Sequence, residues 1–168
     1  MGGYTVRGRV WRYGDNIDTD GIFPGRYLNI FKPEEMARHA MEGVDPGFLK
    51  KMRRGDVVVA GKNFGCGSSR DQAATCLKYA GVSAIIAKSF SRIFYRNAIN
   101  QGLPILTSEE IHGRVEDGQE VEVDASRGLV KNLTTGETIK ATPLPDFVMD
   151  IIVDGGLIPH LRKKVGKR

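Results

Sequence analysis

Between residues 56 and 106 the chain alternates short apolar runs with segments of helical period, and that alternation leaves few folds open. Asp56-Val57-Val58-Val59-Ala60 has the composition of a buried strand, Ala84-Ile85-Ile86-Ala87 repeats the pattern, and Leu103 to Leu106 makes a third. Between the first two runs, Ala73, Ala74, Leu77 and Ala80 recur at helical spacing and Asp71, Gln72, Lys78 and Tyr79 fall largely opposite, with Gly81 placed to end the helix. Between the second and third, Phe90, Ile93, Phe94 and Ala98 mark one face of another helix. Strand, helix, strand, helix, strand predicts a parallel sheet covered by helices, because parallel neighbours need a crossover of this kind.

The flanks are different in texture. Thr5 to Trp11 alternates as a strand, and Tyr13 to Gly25 reads as a loop dense in Gly, Asp and Asn. Pro33, Glu34 and Glu35 start a helix whose apolar face, Met36, Ala37, Ala40 and Met41, ends at Gly43. From Gln119 to Thr142 short β segments are separated by Ser126-Arg127-Gly128 and Thr134-Thr135-Gly136, which predicts antiparallel pairing. Phe147 to Val153 is a final short helix closed by Gly155-Gly156. The expected architecture is α/β, a parallel sheet flanked by helices with an antiparallel β appendage. At 168 residues and 40% hydrophobic composition it fits one domain spanning 1–168.

Composition excludes several functions. A net charge of +5 raises nucleic-acid binding, but neither basic cluster, Lys50-Lys51-Met52-Arg53-Arg54 or Arg162 to Arg168, is interleaved with aromatics. They read as a solvated face and a frayed tail, and no nucleic-acid partner is expected. No apolar run approaches the ~20 residues of a membrane span, and the N-terminus from Met1 to Arg7 lacks the apolar core of a signal peptide. A cytoplasmic protein without membrane contact is expected. Two cysteines, Cys66 and Cys76, are too few to hold an iron–sulfur cluster or structural zinc unaided. Cys76 falls on the buried side of its helix and Cys66 in the glycine loop, which makes Cys66 the more reactive thiol. His39, His112 and His160 are scattered without ligand spacing and read as surface or core residues.

Gly65-Cys66-Gly67-Ser68-Ser69-Arg70 carries the chemistry. It places two hydroxyls and a guanidinium where a glycine loop becomes a helix, with Ser68 or Ser69 as the cap. The first amides of a helix lack intrahelical partners and carry the positive end of the dipole, so a carboxylate or phosphate binds there and an arginine adds a bidentate clamp. Gly61-Lys62-Asn63 has the wrong order for a Walker loop, Arg70 stands where a dinucleotide fingerprint needs its third glycine, and Gly-Ser-Ser-Arg is not a nucleophile elbow. No acid occurs between Asp71 and Glu109, a span that holds Lys78, Lys88, Arg92 and Arg96 and biases this part of the chain toward polyanionic substrates. Asp15, Asp18 and Asp20 suggest a calcium loop, but the residue where such a loop needs its glutamate is Tyr27.

Three segments in order, Asp18-Thr19-Asp20-Gly21-Ile22-Phe23-Pro24, Asn63 to Asp71, and Ala87-Lys88-Ser89-Phe90-Ser91-Arg92-Ile93-Phe94, resemble the successive motifs of the aconitase superfamily's swivelling domain. Over nearly its whole length the chain is similar to the separate small subunits of isopropylmalate isomerases and homoaconitases, the archaeal type in particular. The resemblance implies a swivelling β/β/α domain and a hydro-lyase that moves a hydroxyl between adjacent carbons by dehydration and rehydration. It implies a hetero-oligomer with a large subunit that holds a 4Fe-4S cluster, no cofactor or metal on this chain, and a small di- or tricarboxylate substrate. Self-association of the isolated chain is compatible with it.

By the same resemblance Ser68 matches the general base that takes the carbon-bound proton, and Arg70 matches the arginine that grips a substrate carboxylate. Ser69 adds a hydroxyl or amide to that anion, and Asp20 is the active-site aspartate of the Thr-Asp motif. The loop Arg26-Tyr27-Leu28-Asn29-Ile30 matches the family's specificity element. Leu28 and Ile30 suit the isopropyl group of isopropylmalate, Arg26 offers a cation for an additional carboxylate, and Asn29 matches neither choice. Interconversion of 2- and 3-isopropylmalate in leucine biosynthesis is the expected reaction. A homoaconitase or dual-specificity subunit of a lysine or 2-oxoacid elongation pathway is the alternative, and a non-catalytic anion-binding module is the third reading.

Overall fold

The structure is a computed structural model and describes residues 4–166. Met1 to Gly3, part of the segment read as lacking a signal-peptide core, and Lys167 and Arg168 of the basic tail lie outside the described residues.

Among the described residues seven strands form one mixed sheet: β1 (Thr5–Arg12), β2 (Val57–Ala60), β3 (Ala84–Ala87), β4 (Ile105–Thr107), β5 (Glu120–Asp124), β6 (Leu129–Asn132) and β7 (Thr138–Lys140). The order is β4-β3-β2-β1-β5-β6-β7. The pairs β1–β2, β2–β3 and β3–β4 are parallel, while β1–β5, β5–β6 and β6–β7 are antiparallel. The antiparallel strands expected as an appendage therefore continue the sheet, and β1 joins its two halves by pairing on both edges. Every residue of β2 and β3 is buried, as a strand covered on both faces requires.

The helices are α1 (Thr19–Ile22), α2 (Pro33–Met36), α3 (Phe48–Lys51), α4 (Gln72–Ala80), α5 (Arg92–Asn100), α6 (Ile111–Arg114), α7 (Asp146–Val153) and α8 (Leu157–Val165). α4 and α5 are the crossovers from β2 to β3 and from β3 to β4, and the segment that carries α1 to α3 makes the crossover from β1 to β2. Gly81 ends α4 in the left-handed region at φ 107°, as its place in the sequence predicts.

Five local expectations need correction. The segment 13–25 is not all loop, because the Asp18 side chain accepts from the Gly21 N–H and nucleates α1. The helix expected from Pro33 to Gly43 stops at Met36, followed by a 3-10 turn over Ala37–His39. The chain must then turn back so that Met41 N–H reaches Ile22 O and Gly43 N–H reaches Gly21 O, and Met41 takes φ 62° to do so. Ile93 is 41% exposed rather than part of the buried face of α5, which consists of Phe94, Ala98 and Ile99. α7 is not the last helix, because Leu157–Val165 form α8, which takes in residues 162–165 of the segment expected to be a frayed tail. Ser68 and Ser69 do not cap α4: Asp71 occupies the cap position, and no side chain closes it.

Candidate functional site

The loops that leave the carboxyl ends of β1, β2 and β3 lie side by side, the place where parallel sheets present ligand sites. Thr19 N–H donates to Cys66 O at 2.8 Å and Gly65 N–H to Ile17 O at 2.7 Å, tying the first loop to the second. Phe64 N–H donates to Ser89 O and Ser91 N–H to Phe64 O, tying the second to the third. Beneath them Phe64 packs edge-on to Phe90 and Phe94 at ring separations of 6.0 and 5.2 Å, each pair contributing about 1 kcal/mol beyond its buried area. Ser91 caps α5 and also donates its hydroxyl to Gly65 O at 2.9 Å.

The three acids of the first loop each have a protein partner. Asp15 accepts from Lys62 N–H at 2.7 Å, Asp18 caps α1, and Asp20 accepts from Gly25 N–H at 2.8 Å and from Arg70 Nη1 at 3.2 Å. Their spacing serves loop assembly.

Arg70 brings the candidate residues together. Its Nη1 also donates to Phe23 O at 2.9 Å, and its Nε donates to Ser68 Oγ at 2.9 Å. The guanidinium side chain is 16% exposed and the Asp20 side chain 69%, so the arginine is fixed and the aspartate stands at the rim. The Gly25 N–H, and then the Arg70 guanidinium, hold the Asp20 carboxyl below its ordinary value. Thr19, which sequence reasoning missed, is buried with its Oγ1 3.2 Å from Ser68 Oγ. Ser68 thus has two polar neighbours within the protein and an open side toward solvent. Ser69 is exposed beside it and makes no side-chain hydrogen bond among the described residues. Lys78, counted above among the cations of this region, instead donates to Gly102 O at the other end of α4.

The loop 26–30 begins in a 3-10 turn over Gly25–Tyr27 and is tethered at several points. Arg26 Nη2 donates to Glu42 Oε1 at 2.7 Å, Tyr27 Oη to the same oxygen at 2.5 Å, and Gln72 Nε2 to Leu28 O at 3.3 Å. Leu28 and Asn29 are exposed, whereas Tyr27 and Ile30 pack partly against the core. Phe31, next in the chain and 81% exposed, extends the apolar surface and was not singled out from the sequence.

Among the described residues no group of three or more His, Cys, Asp or Glu side chains could hold a metal ion. Cys76 is fully buried, and burial pushes its thiol up, while Cys66 is half-buried in the loop. His39, His112 and His160 are bonded to Glu42, Tyr13 O and Asp154 respectively. The donors of this chain do not fit an iron–sulfur cluster. No helix of the described residues is long and apolar enough to cross a membrane.

The model of the aconitase C-terminal domain matches residues 9–110, which include all three loops. The chain belongs to the aconitase C-terminal domain family. Within that family it is 56% identical, over 97% of its length and 95% of the relative's, to the 3-isopropylmalate dehydratase small subunit 1 of Methanopyrus kandleri. It is 54% identical to the isopropylmalate/citramalate isomerase small subunit of Methanocaldococcus jannaschii, covering 96% of each. The methanogen homoaconitase small subunit of Methanothermobacter thermautotrophicus is 53% identical over 95% of this chain and 92% of its own. The aconitase C-terminal fold seen here superposes on the crystal structure of a 3-isopropylmalate dehydratase from Methanocaldococcus jannaschii with a TM-score of 0.91, at 44% identity and 96% coverage of both chains.

Proposed function

We propose that this chain is the small subunit of a two-subunit hydro-lyase that interconverts 2-isopropylmalate and 3-isopropylmalate. The observation that carries the reading is the convergence of Arg70 Nε and Thr19 Oγ1 on Ser68 Oγ at an exposed point of the loops. A hydroxyl oxygen that accepts from a guanidinium, with a second hydroxyl beside it able to donate once it is deprotonated, carries negative charge more readily than a free one, which is what a serine needs to act as a base. In this reading Ser68 takes the proton from the substrate carbon and returns it on rehydration. Arg70 holds the carboxylate on that carbon with the part of its fork that faces solvent, and Asp20 keeps the arginine aligned. Ser69 adds a hydroxyl to the same anion, and Leu28 and Ile30 face the isopropyl group.

The small-subunit names of the relatives support a large partner subunit, and the exposure of Ser68, Ser69 and Asp20 supports a site completed by it. The 4Fe-4S cluster belongs to that partner, since the donors here do not fit it. The homoaconitase relative favours a second reading with a tricarboxylate substrate. Against it stands Arg26, whose Nη2 is already engaged by Glu42.

Assembly tests the proposal. The isolated chain is expected to be inert toward both alkene intermediates and to co-elute in gel filtration with a cluster-bearing large subunit, activity appearing only in the shared peak. Activity of the chain alone, or a shared peak with an intact cluster and no activity, contradicts the proposal. Arg70→Lys keeps a charge opposite Asp20 but loses the Nε–H on Ser68 and the planar fork. It is expected to raise KM and lower kcat, with kcat/KM reduced by roughly 100-fold. Unchanged steady-state kinetics would remove Arg70 from the site.

A further inference from the structure

Glu42 lies outside the three motif segments, yet its carboxylate gathers more of the loop 26–30 than any other side chain. Arg26 Nη2 and Tyr27 Oη donate to its Oε1 at 2.7 and 2.5 Å, and His39 Nδ1 lies 2.8 Å from its Oε2. A carboxylate only accepts, so the His39 proton in that contact sits on Nδ1. The Tyr27 and His39 rings stack at 3.7 Å with 17° between planes, and the Arg26 guanidinium lies 4.7 Å over the Tyr27 ring. The Tyr27 hydroxyl above all, with His39 and Arg26 adding to it, holds the Glu42 carboxyl below its ordinary value, so it is ionised at neutral pH.

The backbone that presents Glu42 is itself locked to the site. Met41 is fully buried at φ 62°, a conformation rare for a side chain of its kind, with its N–H on Ile22 O. Gly43 packs so closely on the same turn that a Cβ there would lie 2.8 Å from Asp20 O. A strained, buried residue and a close-packed glycine flank one ionised carboxylate, fixing it against the turn that carries Asp20. Glu42 therefore has a set position relative to Asp20 and Arg70, and it imposes that position on the loop.

We infer that Glu42 is a specificity-determining residue that acts through Arg26. By neutralising and holding the Arg26 guanidinium, it withholds the loop's one cation from the substrate and leaves Leu28 and Ile30 as the wall that meets it. An isopropyl group is accepted there, and a carboxylate in its place finds no positive partner. The inference rests on the proposed hydro-lyase reading, in which the loop 26–30 lines the substrate.

The test uses the assembled complex and compares kcat/KM for isopropylmaleate with that for the tricarboxylate alkene cis-homoaconitate. Glu42→Gln removes the charge and releases Arg26, so the ratio is expected to move toward the tricarboxylate by roughly tenfold, the factor a charge-assisted bond of about 1.4 kcal/mol confers. Adding Arg26→Gln to Glu42→Gln should cancel the gain, a coupling that a merely structural role for Glu42 would not produce. Glu42→Asp keeps the charge but shortens its reach to Arg26, so it is expected to move the ratio in the same direction by a smaller factor, and it remains readable if Glu42→Gln fails to assemble. Glu42→Gln and Glu42→Asp enzymes with the wild-type ratio, or a gain that survives the added Arg26→Gln, overturn the role of Glu42. Failure of the hydro-lyase reading itself looks different: the wild-type complex then hydrates neither alkene.

Discussion

Ser68→Ala is expected to lower kcat of the assembled enzyme by about 100- to 10,000-fold, the range in which a positioned general base contributes. Assembly should be unchanged, because Ser68 is exposed and its side-chain partners, Arg70 and Thr19, keep their backbone ties to Phe23 O and Cys66 O. KM should move little, since the clamp proposed for Arg70 survives, and the loss should fall on the chemical step. The measurement is steady-state hydration of the alkene by complexes matched for cluster content. A variant that turns over within a few-fold of wild type would assign proton transfer to another group.

The second large effect concerns the scaffold. Gly65→Ala places a side chain at φ 82°, and its Cβ would lie 2.3 Å from Cγ of buried Phe94. The left-handed backbone costs roughly 1–2 kcal/mol in an L-residue, and forcing a methyl into a packed core costs about 1–3 kcal/mol more. Phe94 cannot withdraw easily, because it sits edge-on to Phe64 and stacked with Phe90. For a chain of this size the sum lowers Tm by about 10 °C, readable by thermal unfolding followed by circular dichroism. Gly65 also ties the loops through Ile17 O and the Ser91 hydroxyl, so turnover should fall with stability. An unchanged Tm would mean that the aromatic trio is not held as described.

What the sequence made legible and what it hid divide along the range of the interactions. The runs at Val57–Ala60 and Ala84–Ala87, the helix ending at Gly81 and the hairpins after Gln119 are written in local composition, and the structure has them. Ser68, Arg70 and Asp20 were found through a motif, and the structure brings them within hydrogen-bonding distance of one another through Arg70. Thr19 and Glu42 escaped because their partners lie elsewhere in the chain: Ser68 is 49 positions from Thr19, and Arg26 is 16 from Glu42. The spacing of His39 and Glu42 was a usable signal, since residues three apart meet on one turn. The helix read through Met41 failed for a tertiary reason, because hydrogen bonds to Gly21 and Ile22 outweigh helical continuation at Ala40 and Met41. Ser68 and Ser69 do not cap the helix because α4 begins only at Gln72, which puts Asp71 at the cap position.

The contacts of the acidic loop show how its carboxylates are used. Each of Asp15, Asp18 and Asp20 accepts a backbone N–H, and Asp20 is further bound to a guanidinium, so the carboxylates point to separate partners. The same bonds make the loop after β1 a rigid frame for Asp20 and the side chains proposed to face substrate.

The most direct test of the account is hydration of isopropylmaleate by this chain assembled with a cluster-bearing large subunit, run beside cis-homoaconitate and followed by loss of alkene absorbance. Turnover of isopropylmaleate with a clear preference over the tricarboxylate, abolished by Ser68→Ala, is expected. A formed complex with an intact cluster that hydrates neither alkene, or that prefers cis-homoaconitate, would contradict it.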